Sequence, residues 1–524
     1  MNIVTTTTIT TSFSNLAASS PLSNCSNTLY QFNGDETITS TIEIKNVHDV
    51  IFDGMGHTFT CNIPGTLNAH GIVFIINRNC RNIEIRNFKA YAIVNYCDFE
   101  RLHVSNPDYK REYIYIHDNE LYNFSIAISL GAENQSNPQV LPGQGVNYSE
   151  VYNNKIIGTN GTEAGSGYGI HLANAQYCKV YNNHVEHTTR HAIYHAWGQH
   201  NEITGNTIVE HWKGVGIYNT SAEATAAGHP SAVRGKVRCA LAIFRNSQYV
   251  TIKENRFFDV YNVCIHVYPS PENSNSSGAE YADQYGIKIK DNHFYNTRFH
   301  QEDDGSIPGT YPSIMIGYAS VAENLYNSIY HPLDVEITRN RFMFVDANSL
   351  MAIRVYEMGK TNTRGQLTIN NNRFVFSSVF QQGYEADQVI VQIDKKYRDY
   401  VNMNAEFANN IFVALNELTG FSIGALFNIA FYFNKNVTIT INDNQFLNQR
   451  LGNVLVYRAY FGFDPYTYNG NQTNISYQQE CIETVGNPNT GYHLHGDIIF
   501  NDLGATYSRY KYTQSGAPGT YVPY

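Results

Sequence analysis

One six-residue phrase recurs along the chain and limits its fold more than any other feature. It reads apolar, two mostly polar residues, Asn, any residue, apolar. Copies are Ile116-His-Asp-Asn119-Glu-Leu, Val151-Tyr-Asn-Asn154-Lys-Ile, Val180-Tyr-Asn-Asn183-His-Val, Ile203-Thr-Gly-Asn206-Thr-Ile and Ile252-Lys-Glu-Asn255-Arg-Phe. Later copies are Ile289-Lys-Asp-Asn292-His-Phe, Ile337-Thr-Arg-Asn340-Arg-Phe, Ile369-Asn-Asn-Asn372-Arg-Phe, Phe407-Ala-Asn-Asn410-Ile-Phe and Ile441-Asn-Asp-Asn444-Gln-Phe. The asparagines stand 35, 29, 23, 49, 37, 48, 32, 38 and 34 residues apart. A fixed phrase at elastic spacing describes a constant rung joined by loops of variable length. The flanking apolar residues are mostly β-branched or aromatic and alternate with polar ones, the period-two sign of half-buried strands. Asn between two strand pieces suits a corner, because it tolerates a left-handed backbone and hydrogen-bonds locally. Stacked corners predict a ladder of amides. A single coil cannot bury its own apolar face, so the coils must stack. The step from Asn183 to Asn206 sets the bare coil at 23 residues.

Composition narrows the function classes. With 42% hydrophobic and 15% charged residues, the chain of 524 can bury a large core and is not a disordered segment. The net charge of −10 lacks the basic footprint of a nucleic-acid binder and disfavours a polyanion unless a groove is locally basic. Tyr is abundant, 40 residues against 2 Trp, as in strands and at wet binding surfaces. The eight cysteines include no CxxC pair and read as buried free thiols. The N-terminal stretch has no basic, apolar leader pattern, and no run of 18 apolar residues predicts membrane insertion.

The pattern resembles the right-handed parallel β-helix superfamily of pectate-lyase-like proteins. Val50-Ile-Phe-Asp-Gly-Met-Gly-His-Thr-Phe59 looks like its first-coil motif. Tyr168-Gly-Ile-His-Leu, Arg190-His-Ala-Ile-Tyr and Val215-Gly-Ile-Tyr look like its strands between corners. The resemblance implies an all-β, single-stranded solenoid over 46–450. An N-terminal cap over 1–45 is expected, with a Tyr-rich cap or oligomer contact over 451–524. That superfamily holds lyases, hydrolases, epimerases, viral tailspikes and adhesins.

Aligning the strands that follow the corners gives columns. Ile128, Ile170, Ile193, Ile217, Ile265 and Ile353 are expected inside. Ser129, His171, Tyr194, Tyr218, His266 and Arg354 are expected outside, beside a small row of Ala127, Gly169, Ala192, Gly216, Cys264 and Ala352. Together they describe a shallow groove with a polar, aromatic wall. A strand step of ~4.8 Å lets such a groove follow a glycan along the axis. Seven of the 19 histidines lie within 167–218. Glycan lyases need a base beside a uronate carboxylate and a cation to neutralise it. His171, Tyr194 and Tyr218 are candidates for base or acid, and Arg190 and Lys213 for the cation; His191, His195, His266 and Arg354 are candidate substrate contacts. The same residues also read as ordinary outward positions of a Tyr/His-rich solenoid. His187, His191 and His195 are a weaker zinc reading, and no resident cofactor is expected. Glu302, Asp303 and Asp304 are the best carboxylate cluster, read as a solvated loop tip or a Ca²⁺ site.

Three functional readings follow. The first is a virion attachment protein of tailspike type, trimeric, exposed outside the cell and in contact with other virion proteins, which binds and possibly depolymerises surface polysaccharide. The second is a stand-alone polysaccharide lyase, with a glycoside hydrolase as runner-up. The third is a purely structural virion or surface solenoid.

Overall fold

In the computed structural model, residues 6–413 are described apart from 67–68, 78, 103–110, 132–144, 161–165, 212–238, 246, 262, 269–282, 297–311, 318–331, 345–350, 356–357, 359–362, 377–390 and 395–402; beyond 413 only the backbone of some strands is described. Two compact units form: Met1–Tyr261 with Ser274–Ala282, and Asn262–Asn273 with Asp283–Tyr524.

The first unit winds through three parallel sheets, each coil giving one strand to each. The first sheet holds the strands before the corner, such as Glu150–Tyr152, Lys179–Tyr181, Glu202–Thr204 and Thr251–Lys253. The second holds those after it, such as Lys155–Thr159, His184–Glu186, Thr207–Val209 and Arg256–Phe258. The third runs through Gly71–Ile76, Cys97–Leu102, Ile126–Leu130, Tyr168–Ala173, His191–Ala196 and Cys239–Phe244. Register is strict: Val151 pairs with Val180, which pairs with Ile203, which pairs with Ile252. All four are fully buried, and their neighbours are partly exposed. Burying each such side chain contributes about 1.5–3 kcal/mol. This is a right-handed parallel β-helix, as the resemblance implies; the repeated phrase predicts its stacked coils.

The amide ladder is present. Asn119 Nδ2 donates to Asn154 Oδ1 at 2.9 Å, Asn154 to Asn183 at 3.0 Å, Asn183 to Asn206 at 2.9 Å and Asn206 to Asn255 at 2.9 Å. Each Nδ2 also reaches a carbonyl of the preceding coil, as from Asn183 to Val151 O at 2.9 Å. The left-handed residue at this corner is not the ladder asparagine but the one before it: Asp118, Asn153, Asn182, Gly205 and Glu254 have φ of 55°, 55°, 54°, 65° and 58°. The turn residue faces out, which frees the next side chain to point in.

The earliest coils fill this space differently. Phe88 N donates to Asn119 Oδ1, so Phe88 stands where the next asparagine would. Its ring packs with Phe32, Phe59, Phe74 and Phe99 at 5.1–5.8 Å. The short helix Phe13–Ala18, capped by Ser12, drives Phe13 onto Phe32, Phe59 and Phe74. Parallel pairing already includes Thr7–Thr11, Ser26–Phe32 and His48–Asp53.

The second unit repeats the scheme. Asn292, Asn340, Asn372 and Asn410 are linked amide to amide at 3.0, 3.1 and 3.0 Å. The phrase's last residue adds a second stack, Phe294–Phe342–Phe374–Phe412, at 4.7, 4.9 and 4.7 Å. Asn444 lies outside the described residues. Parallel strands continue past 450 at Tyr457–Phe461 and Ile475–Tyr477, and Ile498–Phe500, Arg509–Tyr512 and Tyr521–Pro523 form an antiparallel sheet. All cysteines among the described residues are free thiols. No helix there is long and apolar enough to cross a membrane.

Candidate functional site

The third sheet carries the predicted columns. Ile128 pairs with Ile170 and Ile170 with Ile193, while Ser129 pairs with His171 and His171 with Tyr194. The next partners are Leu241 and Ala242, so the column passes from Ile193 to Leu241 rather than to Ile217. Ile217, Gly216, Tyr218 and Lys213 lie outside the described residues, as do Glu302, Asp303 and Asp304. In the second unit Ile265 pairs with Ile314, which pairs with Ile353; His266 and Arg354 are thus separated by Met315.

Two expectations are corrected. The wall is not an open groove: His171, Tyr194, His191 and Ser129 are all buried. The small row is not a groove floor either. A Cβ on Gly169 would lie 2.6 Å from Ala192 O and 2.9 Å from Val185 Cγ1, so this position faces the interior. Close approach at Gly169 interrupts the alternation, and Tyr168 and His191 turn to the same side as His171 and Tyr194. Their rings cluster: Tyr168 lies 5.6 Å from His171 and 5.5 Å from His191, and Tyr194 lies 5.1 Å from His171. Phe244 meets Tyr194 edge-on at 5.1 Å, and Arg190 covers Tyr168 at 5.1 Å.

The imidazoles differ in what they leave available. His195 is fully used: Asn201 Nδ2 donates to Nε2 at 2.8 Å, and Nδ1 meets Ser247 Oγ at 2.8 Å. Nδ1 of His191 donates to Cys239 O at 2.7 Å. His266 gives Nε2 to Gly317 O at 2.8 Å. Burial pushes His195 and His266 down to about 3, so both are neutral. The three histidines of the zinc reading do not converge, because His187 instead meets Glu186 at 3.1 Å and Glu210 at 3.3 Å.

His171 is the exception. Ser129 Oγ donates to Gly131 O at 2.9 Å and lies 2.9 Å from His171 Nδ1. The hydroxyl proton is committed to the carbonyl, so Nδ1 carries the imidazole proton and Nε2 presents its lone pair. That Nε2 is buried and has no hydrogen-bond partner. Gly131 makes the arrangement feasible: at φ 116°, a Cβ there would lie 1.8 Å from Ala173 O. Burial first, and then the charges of Arg101, Arg245 and Arg190, hold His171 down at about 3.

Two acids lie on Cys97–Leu102, one coil from Ser129 and two from His171. Glu100 Oε2 accepts from Ser129 N at 3.0 Å. Burial raises its carboxyl well above the usual range, so it stays protonated. Asp98 accepts from Ile126 N at 3.0 Å and pairs with His70 at 2.9 Å and Arg101 at 3.6 Å. Neither acid was singled out from sequence. The available signal was a Glu in register with Phe74 and Ile128, where every other residue is apolar. The site is thus a neutral base close to three guanidinium charges, with a protonated acid in the neighbouring inward column, suited to a carboxylate-bearing ligand.

A second feature lies at an outer corner. Tyr113, Tyr148, Tyr177, His200 and Tyr249 all have left-handed backbones, with φ of 52–60°. Their rings stack at 5.5, 5.4, 5.0 and 4.8 Å. Tyr148, Tyr177 and Tyr249 are 45–50% exposed, so this stack, unlike the His171 face, meets solvent.

Fold and site together define a parallel β-helix protein with a buried acid–base cluster on its third sheet. The family described as "Periplasmic copper-binding protein (NosD)" matches residues 93–228. No curated protein matches. Among solved structures, the chain is similar to the catalytic unit of a GH87 α-1,3-glucanase from Streptomyces thermodiastaticus, at 13% identity and TM-score 0.46, covering 83% of this chain and 68% of that one. It is also similar to the tailspike of Escherichia coli bacteriophage HK620, in complex with a pentasaccharide, at 12% identity and TM-score 0.46, covering 84% and 68%. A third is the A-module of the Azotobacter vinelandii mannuronan C-5 epimerase AlgE6, at 10% identity and TM-score 0.42, covering 89% and 93%.

Proposed function

We propose that this protein binds an acidic polysaccharide and cleaves it by β-elimination, as a tailspike-like attachment protein of a virion that works outside the cell as a homotrimer. The observation that carries the chemistry is the unpartnered Nε2 lone pair of neutral His171 among the charges of Arg101, Arg190 and Arg245. The arginines neutralise a uronate carboxylate, which acidifies the adjacent C–H. His171 Nε2 takes that proton, the glycosidic C–O bond breaks, and the leaving oxygen takes a proton from Tyr194, leaving an unsaturated sugar end. A carboxylate bound among the guanidinium groups also cancels part of the field that depresses His171, so substrate makes its own base stronger. His191 and His195 hold the strand that carries Tyr194. Tyr218 and Lys213 remain candidates for the same step, and His266 and Arg354 for glycan contact on the second unit. Because this face is buried, the polymer enters only when it opens.

Incubation with purified capsule or uronate polymers tests this, following both absorbance of unsaturated ends and reducing ends. Wild type is expected to give both signals, and His171→Gln to lower the rate at least about 100-fold. Reducing ends without absorbance would make the enzyme a hydrolase. Sedimentation as a monomer at micromolar concentration, with no binding to bacterial envelopes, would end the tailspike reading.

A second reading, attachment without cleavage, is favoured by the exposed Tyr148–Tyr177–Tyr249 edge, whose polar rims repeat at the coil spacing. Retained envelope binding with neither product signal, and loss of that binding in Tyr148→Ser/Tyr177→Ser, would establish it.

A further inference from the structure

On a different face of the first unit, three side chains from two consecutive coils converge, Glu186, His187 and Glu210, with His184 against Glu186. His184 and Glu186 stand on the same side of the strand His184–Glu186, and His187 follows at the corner. Glu210 takes the equivalent corner one coil on, after Thr207–Val209, which pairs with His184–Glu186 in strict register. Both corner residues are left-handed, with φ of 52° for His187 and 45° for Glu210, and both backbones are tied to the next coil: His187 N to Val209 O at 3.2 Å and Glu210 N to Phe258 O at 2.9 Å. The backbone that presents these groups is therefore part of the hydrogen-bonded coil.

The donor atoms are close. His187 Nε2 lies 3.1 Å from Glu186 Oε1 and 3.3 Å from Glu210 Oε2, and His184 Nε2 lies 3.0 Å from Glu186 Oε2. One donor atom each from Glu186, His187 and Glu210 falls within 4.8 Å of the others. Donors about 2.0–2.1 Å from a tetrahedral ion stand about 3.3 Å from one another, so these atoms already have the spacing of a coordination shell. Two carboxylates balance a divalent charge, and the imidazole of His187 adds a nitrogen donor. Nitrogen donors select a borderline transition ion over Ca²⁺ or Mg²⁺, which take oxygen shells. The side chains are a quarter to two-fifths exposed, leaving an open position for water or a ligand.

We infer that Glu186, His187 and Glu210 form a binding site for a divalent transition-metal ion of the Zn²⁺/Co²⁺/Cu²⁺ class, with His184 holding the far oxygen of Glu186. It is separate from the His171 face and does not depend on the proposed cleavage.

The test is titration of the full chain with Zn²⁺ by calorimetry and with Co²⁺ by visible absorption, with Ca²⁺ as the control. The expected result is one Zn²⁺ per chain, a Co²⁺ spectrum of four- or five-coordinate type, and no heat from Ca²⁺. The informative variants are His187→Asn and Glu210→Asn, because Asn accepts the left-handed backbone and removes the donor without straining the corner. Each is expected to weaken Zn²⁺ binding at least about tenfold, with the apoprotein Tm unchanged. No stoichiometric binding by wild type, or unchanged affinity in the His187→Asn/Glu210→Asn pair, would overturn the site and show ordinary ion pairs at the corner.

Discussion

The amide spine and the third sheet belong to the same coils, yet they treat buried polarity in opposite ways. On the spine, Asn183 gives its Nδ2 to Val151 O and Asn206 Oδ1, while its own Oδ1 takes Asn154 N and Nδ2. Buried polar atoms fully paired in this way fix one register. On the third sheet, His171 Nε2 and Glu100 Oε1 are buried and unpaired. Atoms left in that state cost about 1–3 kcal/mol each, a cost a scaffold avoids and a reactive site retains. The difference separates a fully paired spine from a sheet with unpaired buried polar atoms.

The sharpest way to break the contrast is at the spine. Asn183→Ala removes four ladder bonds and strands the amide of Asn154. It is expected to cost at least about 3 kcal/mol, read as a large fall in Tm or loss of soluble protein. Asn183→Asp, nearly identical in shape, is expected to fail almost as badly because a carboxylate cannot donate. A spine that tolerates either change is not the register device described here.

Acid comes next. His171 and His195 in the first unit stay neutral down to about 3, whereas an unfolded imidazole protonates near 6.5. Between those values the unfolded chain binds more protons. The stability these groups contribute is therefore full above about 6.5 and falls as pH drops, by at most about 2.7 kcal/mol per pH unit for the pair. Glu100, raised in the fold, acts with the opposite sign: its contribution is present at low pH and fades as pH rises above about 4.3. Thermal unfolding at pH 7, 6 and 5 should show Tm falling; a flat profile would mean water reaches both imidazoles.

A smaller effect sharpens the contrast from the other side. His171→Phe replaces an imidazole whose Nε2 is unpaired with an apolar ring beside Tyr168 and Tyr194, and is expected to leave Tm unchanged or raise it by a few degrees, Ser129 Oγ keeping its bond to Gly131 O. A loss comparable to Asn183→Ala would make His171 another structural residue. Smallest of all, Tyr177→Ser on the exposed stack is expected to cost less than about 1 kcal/mol, with glycan binding rather than Tm as its readout.

The spine was legible because a covalent repeat states it directly: each asparagine carries its own flanking apolar residues, and stacking follows from the need to bury them. The inward column was legible for the same reason. The outer face was not. Alternation predicts that His171 and Tyr194 point outward, and they do, but it says nothing about what closes over them. Tyr168 and His191 joined the cluster because Gly169 lets two backbones approach, a local departure from period two. Glu100 entered through its register with Phe74 and Ile128, on a strand that no copy of the asparagine phrase marks. His184, Glu186, His187 and Glu210 were noticed as part of a histidine-rich patch, but sequence proximity put them with His171, whereas the corner between them and the third sheet turns them to another face.

The ladder also bears on how such a protein changes over generations. Every amide makes the same contacts with the rung before and the rung after, whether 23 or 49 residues separate them. A segment duplicated or deleted between two asparagines would therefore meet matching ends. A coil can be gained or lost, or a new side loop acquired, in a single genetic event.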